Sequence, residues 1–103
     1  MTQVTLGIKV NTVIASFRNK GLEEIYKAGQ TRRIGHEQIR RCVRILQALD
    51  VATGPEQMNI AGLRYHRLRG NPQRWSVRVT ANSRITFGWA GEYAQEMDFE
   101  DYP

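Results

Sequence analysis

Five arginines and one of the two histidines of the chain fall within residues 64–79, which read RYHRLRGNPQRWSVRV and contain no carboxylate. Arginine carries a planar, permanently charged group that binds phosphate in a bidentate manner. Histidine is the residue type that most readily transfers a proton near neutral pH. The stretch therefore suggests either a site that only binds an anion or one that also carries out acid-base chemistry on it.

Alternating polarity indicates that part of this stretch belongs to a β-hairpin, with a turn at Ala81-Asn82-Ser83. The apolar positions of the hairpin are Trp75, Val77, Val79, Ile85, Phe87 and Trp89. Because successive side chains of a strand point to opposite faces, Arg74, Arg78 and Arg84 are predicted to share the face away from the apolar residues. Such a face would hold a phosphate, although a solvated polar face without a ligand has the same pattern.

A strand before the hairpin is predicted over Arg64 to Arg69. Within it, His66 has the parity of Arg64, whereas Arg67 and Arg69 fall on the other face, unless Gly70 or a bulge turns the strand end. A histidine on a strand is more often structural or merely exposed than catalytic, so parity alone leaves the role of His66 open.

The first half of the chain has helical periodicity. A short helix is predicted over Lys20 to Ala28, with Gly29 ending it. A second helix is predicted over Gly35 to Ala52. Its apolar face is Ile39, Cys42, Val43, Leu46 and Leu49, and its basic back is Arg40, Arg41 and Arg44. The position of Cys42 on the apolar face predicts an inert core thiol.

These elements predict an α+β fold, with two N-terminal helices packed on a curved, mainly antiparallel sheet of four to five strands. A first strand is expected over Asn11 to Phe17, so the order is β-α-α-β-β-β with one further strand at Tyr93 to Phe99. With 103 residues the chain is expected to form a single domain, residues 1–103, in which residues 1–10 are a loose extension.

Charge is divided unevenly along the chain. Residues 1–89 carry a formal charge of +10 and residues 90–103 carry −5, and 12 of the 15 cations are arginine. This distribution favours nucleic acid or an acidic protein as the partner. One cysteine and two distant histidines predict no disulfide, no metal and no cofactor. The absence of a long apolar run predicts no membrane contact and a cytoplasmic protein.

The acidic tail EMDFEDYP follows the last predicted strand directly. It is either a frayed terminus or a segment held near the sheet, and in the second case Asp101 and Tyr102 would lie beside the arginines.

Four segments of the sequence resemble the HigB killer-protein toxins of the RelE/ParE superfamily. They are SFRNKGLEEIYKAG, LDVATGPEQMNIAGLRYHRLRG, RWSVRVTANSRITF and DFEDY, in the order and spacing of that family from about residue 15 onward. The resemblance implies a RelE-like fold similar to that of microbial ribonucleases. It also implies a type II toxin that cuts mRNA in the ribosomal A site without a metal, and that is inhibited by a HigA-like antitoxin with a helix-turn-helix domain. Operator DNA would then be contacted indirectly, through the antitoxin.

By the same resemblance, the implied catalytic residues are His66, Arg74, Arg84, Asp101 and Tyr102. The implied or candidate phosphate-binding residues are Arg67, Arg69, Arg78, Arg40 and Arg44. The sequence departs from the family at its last position, where Pro103 stands in place of the usual terminal histidine. Proline cannot transfer a proton, so either the remaining groups suffice for cleavage or the activity is reduced.

Two other functions agree with the same residues. A ParE-like inhibitor of DNA gyrase would need no proton carrier, and the missing terminal histidine fits that function. A non-catalytic module that binds RNA or DNA would use the basic helix back and the arginine face alone.

Overall fold

The computed structural model describes residues 13–101, which form a layer of two helices on a four-stranded sheet. The helices are α1, Lys20–Ala28, and α2, His36–Val51, and a single 3-10 turn follows at Pro55–Met58. The strands are β1, His66–Leu68; β2, Arg74–Thr80; β3, Ser83–Ala90; and β4, Tyr93–Asp101. The predicted α+β class is confirmed.

Both helices begin and end close to the predicted residues. Asn19 caps α1, since its side-chain oxygen accepts a hydrogen bond from the Leu22 N–H at 2.9 Å. Gly29 ends α1 with a φ of 80°, in the left-handed conformation that favours glycine, and its N–H donates to the Ile25 carbonyl. None of the described helices is long and apolar enough to cross a bilayer.

The buried face of α2 differs in part from the predicted one. Ile45 is buried beside Cys42, Leu46 and Leu49, although the predicted apolar face does not include it. Val43 is only partly buried. It lines an open groove that also includes Ile25 and Tyr26 of α1, because α1 covers that side of α2 incompletely.

The sheet has the order β1-β2-β3-β4, and every pair of neighbouring strands is antiparallel. Val77 faces Ile85 across the β2–β3 pair, and both side chains are fully buried. The face that carries them packs against the helices, whose buried residues join the same hydrophobic core. None of the described helices covers the opposite face of the sheet, which is called here the open face.

The strand predicted over Asn11 to Phe17 is not a regular strand in its described part. Phe17 makes one isolated parallel bridge with Met97, and the Met97 N–H donates to the Ser16 carbonyl at 3.1 Å. The ladder stops here because Glu96 has a φ of 53° and its N–H donates to the Ser16 side chain. Residues 11 and 12, and the predicted extension at 1–10, lie outside the described residues.

Candidate functional site

The open face brings together the side chains that strand parity grouped. The register places His66 opposite Ser76, Ser76 opposite Thr86, and Arg78 opposite Arg84. An open depression of about 300 Å³ lies on this face. It is lined by Arg64, His66, Ser76, Arg78, Ala81 and Arg84. Three guanidinium groups and an imidazole therefore surround a space that an anion can enter.

His66 is held by both ring nitrogens. Its Nδ1 lies 3.2 Å from the Arg67 carbonyl oxygen, and its Nε2 lies 3.2 Å from Ser76 Oγ. A carbonyl oxygen can only accept, so the first contact requires the hydrogen on Nδ1. In the neutral ring, Nε2 then accepts from the Ser76 hydroxyl. The basic nitrogen thus points into the depression, and the imidazole remains exposed to solvent.

Arg84 lies at the other side of the depression, against a carboxylate. Its Nη2 donates to Glu100 Oε1 at 3.1 Å, and the second oxygen of Glu100 accepts from the Thr86 hydroxyl at 2.9 Å. Burial acts to raise the pKa of Glu100. The hydrogen bonds from Thr86 and Arg84 and the charges of Arg84 and Arg74 outweigh burial, so the pKa of Glu100 lies below its usual value.

Arg74 is fixed at the neighbouring part of the open face. Its Nη2 donates to Thr86 Oγ1 at 3.2 Å and to the Glu96 carbonyl at 2.8 Å. Arg18 pairs with the carboxylate of the same Glu96 at 3.0 Å. The pKa of Arg74 is lowered, mainly by burial and to a smaller extent by the charge of Arg18. Nearby carboxylates of β4 act in the opposite direction. A guanidinium remains charged at neutral pH despite such a change.

Comparison with known proteins gives the family. Residues 15–102 match the family described as RelE-like toxin of type II toxin-antitoxin system HigB. The chain belongs to this family. It is also 35% identical over 91 residues to Endoribonuclease HigB of Proteus vulgaris, an alignment that covers 87% of this chain and 99% of the relative.

The remaining arginine candidates of the HigB-family chain lie apart from the depression. Arg67 faces Trp75 in the register, and its Nη2 donates to Gln73 Oε1 at 2.8 Å. Arg69 is exposed just beyond the end of β1. Arg40 and Arg44 are exposed on α2, on the other layer of the fold. Arg67 lies on the other face of the sheet from His66, and Arg40 and Arg44 lie on the helix layer, so these three are not brought together with His66.

Arg41, on the basic back of α2, makes structural hydrogen bonds to two backbone carbonyls. Its Nη2 donates to the Gly62 carbonyl at 2.8 Å and its Nε to the Arg78 carbonyl at 3.3 Å. It thereby ties α2 to the strand that carries Arg78.

The tail does not bring Asp101 to the open face. Asp101 pairs with Ser83, whose hydroxyl donates to Gln38 of α2, so this pair belongs to the helix side of the sheet. The cause is a bulge in the β3–β4 pairing between Thr86 and Gly88. It contains one extra residue of β4, so the β4 side chains that follow it point to the opposite face from the one that simple alternation predicts. Glu100, rather than Asp101, lies on the open face, where it is opposite Arg84 in the register. Tyr102 and Pro103 lie outside the described residues.

The sequence did not identify three residues that contact the site arginines or His66, namely Ser76, Thr86 and Glu100. Ser76 and Thr86 have the parity of the arginines, but a hydroxyl residue on a polar face carries no distinguishing signal. Glu100 is assigned correctly only when the bulge is known. Cys42, by contrast, is the inert core thiol that its position predicted, and burial raises its pKa to about 12.

Proposed function

We propose that this protein is an endoribonuclease that cuts mRNA in the ribosomal A site, with the RNA 2′-hydroxyl attacking the adjacent phosphate. The observation that carries the proposal is the contact of His66 with Ser76 inside a depression lined by Arg64, Arg78 and Arg84. The name of the relative from Proteus vulgaris supports the ribonuclease activity.

Such cleavage needs three contributions from the protein. One proton must leave the 2′-hydroxyl, the extra negative charge of the phosphorane must be neutralised, and the departing 5′-oxygen must be protonated. Arg84 and Arg74 supply permanent positive charge for the second step. His66 serves as acid or base, and its Nε2 can exchange the Ser76 contact for one with substrate.

A second proton-transfer group is assigned to the chain end. The resemblance of DFEDY to the family motif supports Tyr102 for this role and for stacking on a base, whereas Asp101 is not assigned to it because it lies on the helix side of the sheet. A phenol transfers a proton near pH 7 only where neighbouring cations lower its usual pKa of about 10. Because Pro103 replaces the usual histidine, we propose a slower enzyme than relatives that end in histidine.

Dependence on the ribosome agrees with the openness of the depression. The described residues of the site do not enclose a flexible RNA strand, so an external scaffold is proposed to hold the attacking and departing oxygens in line. A ribosome with mRNA in its A site supplies that scaffold. As for other type II systems, we propose control by a HigA-like helix-turn-helix antitoxin, which would also link the toxin to operator DNA.

The function is tested by mapping mRNA cleavage on programmed ribosomes with purified protein. His66→Ala is expected to lower the cleavage rate by about 10²- to 10⁴-fold, which is the usual contribution of acid-base catalysis. His36→Ala is the matched control, because His36 is the other histidine and lies exposed at the start of α2. Intact mRNA with the unaltered protein, or cleavage by His66→Ala at the normal rate, contradicts the proposal.

A further inference from the structure

Thr86 occupies an unusual position on the open face. It lies in the middle of β3, with Ser76 on one side and Asp98 on the other in the register, yet its side chain is fully buried. The burial is caused by charged neighbours that lie over it, since Arg74 and Glu100 both bond to its hydroxyl.

The directions of these bonds are fixed by chemistry. A guanidinium only donates and a carboxylate only accepts, so the Thr86 hydroxyl accepts from Arg74 and donates its single hydrogen to Glu100. The other oxygen of Glu100 accepts from Arg84. A continuous chain of bonds therefore joins the two arginines through one hydroxyl and one carboxylate.

Glu100 cannot be explained as an anion-binding group. A carboxylate that touches Arg84 reduces the positive charge available to a phosphate, and so it weakens binding by the open face. Fixing a flexible arginine in one geometry is a role that the same contact can fulfil, because side chains around reacting groups work best when they are held before substrate arrives.

We propose that Thr86 and Glu100 are positioning residues that hold Arg74 and Arg84 in the orientation needed to neutralise the phosphorane. The inference rests on the proposed ribonuclease function. It predicts that loss of either contact slows turnover, and that loss of the Glu100 charge strengthens substrate binding at the same time.

Three substitutions test these roles in the programmed-ribosome cleavage assay. Thr86→Val keeps the shape and removes both bonds of the hydroxyl, Thr86→Ser keeps the hydroxyl, and Glu100→Gln removes the negative charge. Thr80→Val is the matched control, because the Thr80 hydroxyl bonds Ser83 and the Asn82 N–H and neither arginine.

Thr86→Val is expected to lower kcat by about 10- to 100-fold, since small misplacements of catalytic groups have effects of that size. Thr86→Ser should restore kcat to within about threefold, and Thr80→Val should leave it unchanged. Glu100→Gln should lower both kcat and KM, a combination that general loss of structure does not produce. Thermal unfolding of each variant shows whether it is folded at the assay temperature. If Thr86→Val is unfolded at that temperature, the kcat and KM of Glu100→Gln test the positioning role instead.

The outcomes separate the two proposals. A lack of cleavage by the unaltered protein overturns the ribonuclease function together with this inference. Cleavage by the unaltered protein, combined with a normal kcat in Glu100→Gln or in folded Thr86→Val, overturns the inference alone. A Thr86→Ser variant as slow as Thr86→Val also overturns it, because the hydroxyl would then not be the cause.

Discussion

At the scale of single residues, Glu100 is an acidic side chain that contacts Arg84, one of the candidate catalytic residues. Its carboxylate accepts bonds from Arg84 and Thr86, and these interactions keep its pKa below the usual value against the opposing effect of burial. The group is therefore ionised at neutral pH and is unsuited to act as a general acid. Its remaining functions are to accept hydrogen bonds and to offset positive charge.

The lowered pKa of Glu100 gives a prediction for stability in acid. A carboxyl group with a lower pKa in the folded state stabilises the fold above its unfolded pKa, which is near 4.5. That contribution is lost as the pH falls through the folded pKa. Urea unfolding should therefore show Glu100→Gln less stable than the unaltered protein by about 0.2–1 kcal/mol at pH 7, since the ion pair is partly exposed.

The difference between the two proteins should shrink progressively below about pH 4.5. Glu92→Gln, at the exposed turn between β3 and β4, accounts for the general effect of removing one negative charge. A gap between the unaltered protein and Glu100→Gln that stays constant from pH 7 to pH 3 contradicts the lowered pKa.

At the scale of elements, the capping of α1 connects the helix to the sheet. The Asn19 side chain accepts from the Leu22 N–H, and the Asn19 backbone N–H donates to the Met97 carbonyl of β4 at 3.0 Å. One residue thus ends the segment that runs beside β4 and begins the helix that covers the core. The start of α1 is fixed at the same place as the β4 bulge.

Asn19→Ala tests this cap. The substitution leaves the Leu22 N–H without its acceptor and is expected to lower the free energy of unfolding by about 1 kcal/mol. Asn19→Ser keeps a capping oxygen and should lose only a few tenths of that amount. Chemical denaturation at pH 7 measures both, and equal losses in the two variants would show that the side-chain cap is not the source of the stability.

The elements themselves were largely predictable from local patterns, whereas their irregularities were not. Leu22 and Ile25 at helical spacing and Gly29 after them defined α1, and strand parity correctly placed Arg74, Arg78 and Arg84 on one face. The bulge has no such signal. Glu96 within the bulge donates its N–H to Ser16, eighty residues away, and such a contact exists only in the folded chain.

At the scale of the whole molecule, the two layers separate the positive charge into different surfaces. Arg40 and Arg44 are exposed on α2, while Arg78 and Arg84 lie on the open face, with the hydrophobic core between the helices and the sheet. Periodicity showed that each group is exposed on its own element. It could not show that the groups point in different directions, because the packing of helix on sheet is set by tertiary contacts.

The separation predicts which arginines contact RNA. Neutralising a phosphate releases counterions, so each Arg–phosphate contact with single-stranded RNA contributes about 0.7 to the slope of log affinity against log salt concentration. Arg78→Ala is therefore expected to reduce that slope by about 0.7, while Arg40→Ala on the helix layer leaves it unchanged. Fluorescence anisotropy with a short 2′-O-methyl RNA measures binding alone, because that RNA has no free hydroxyl to attack its phosphate. If Arg40→Ala reduces the slope as much as Arg78→Ala does, RNA also contacts the helix layer, and the open face is then not the sole RNA-binding surface among the described residues.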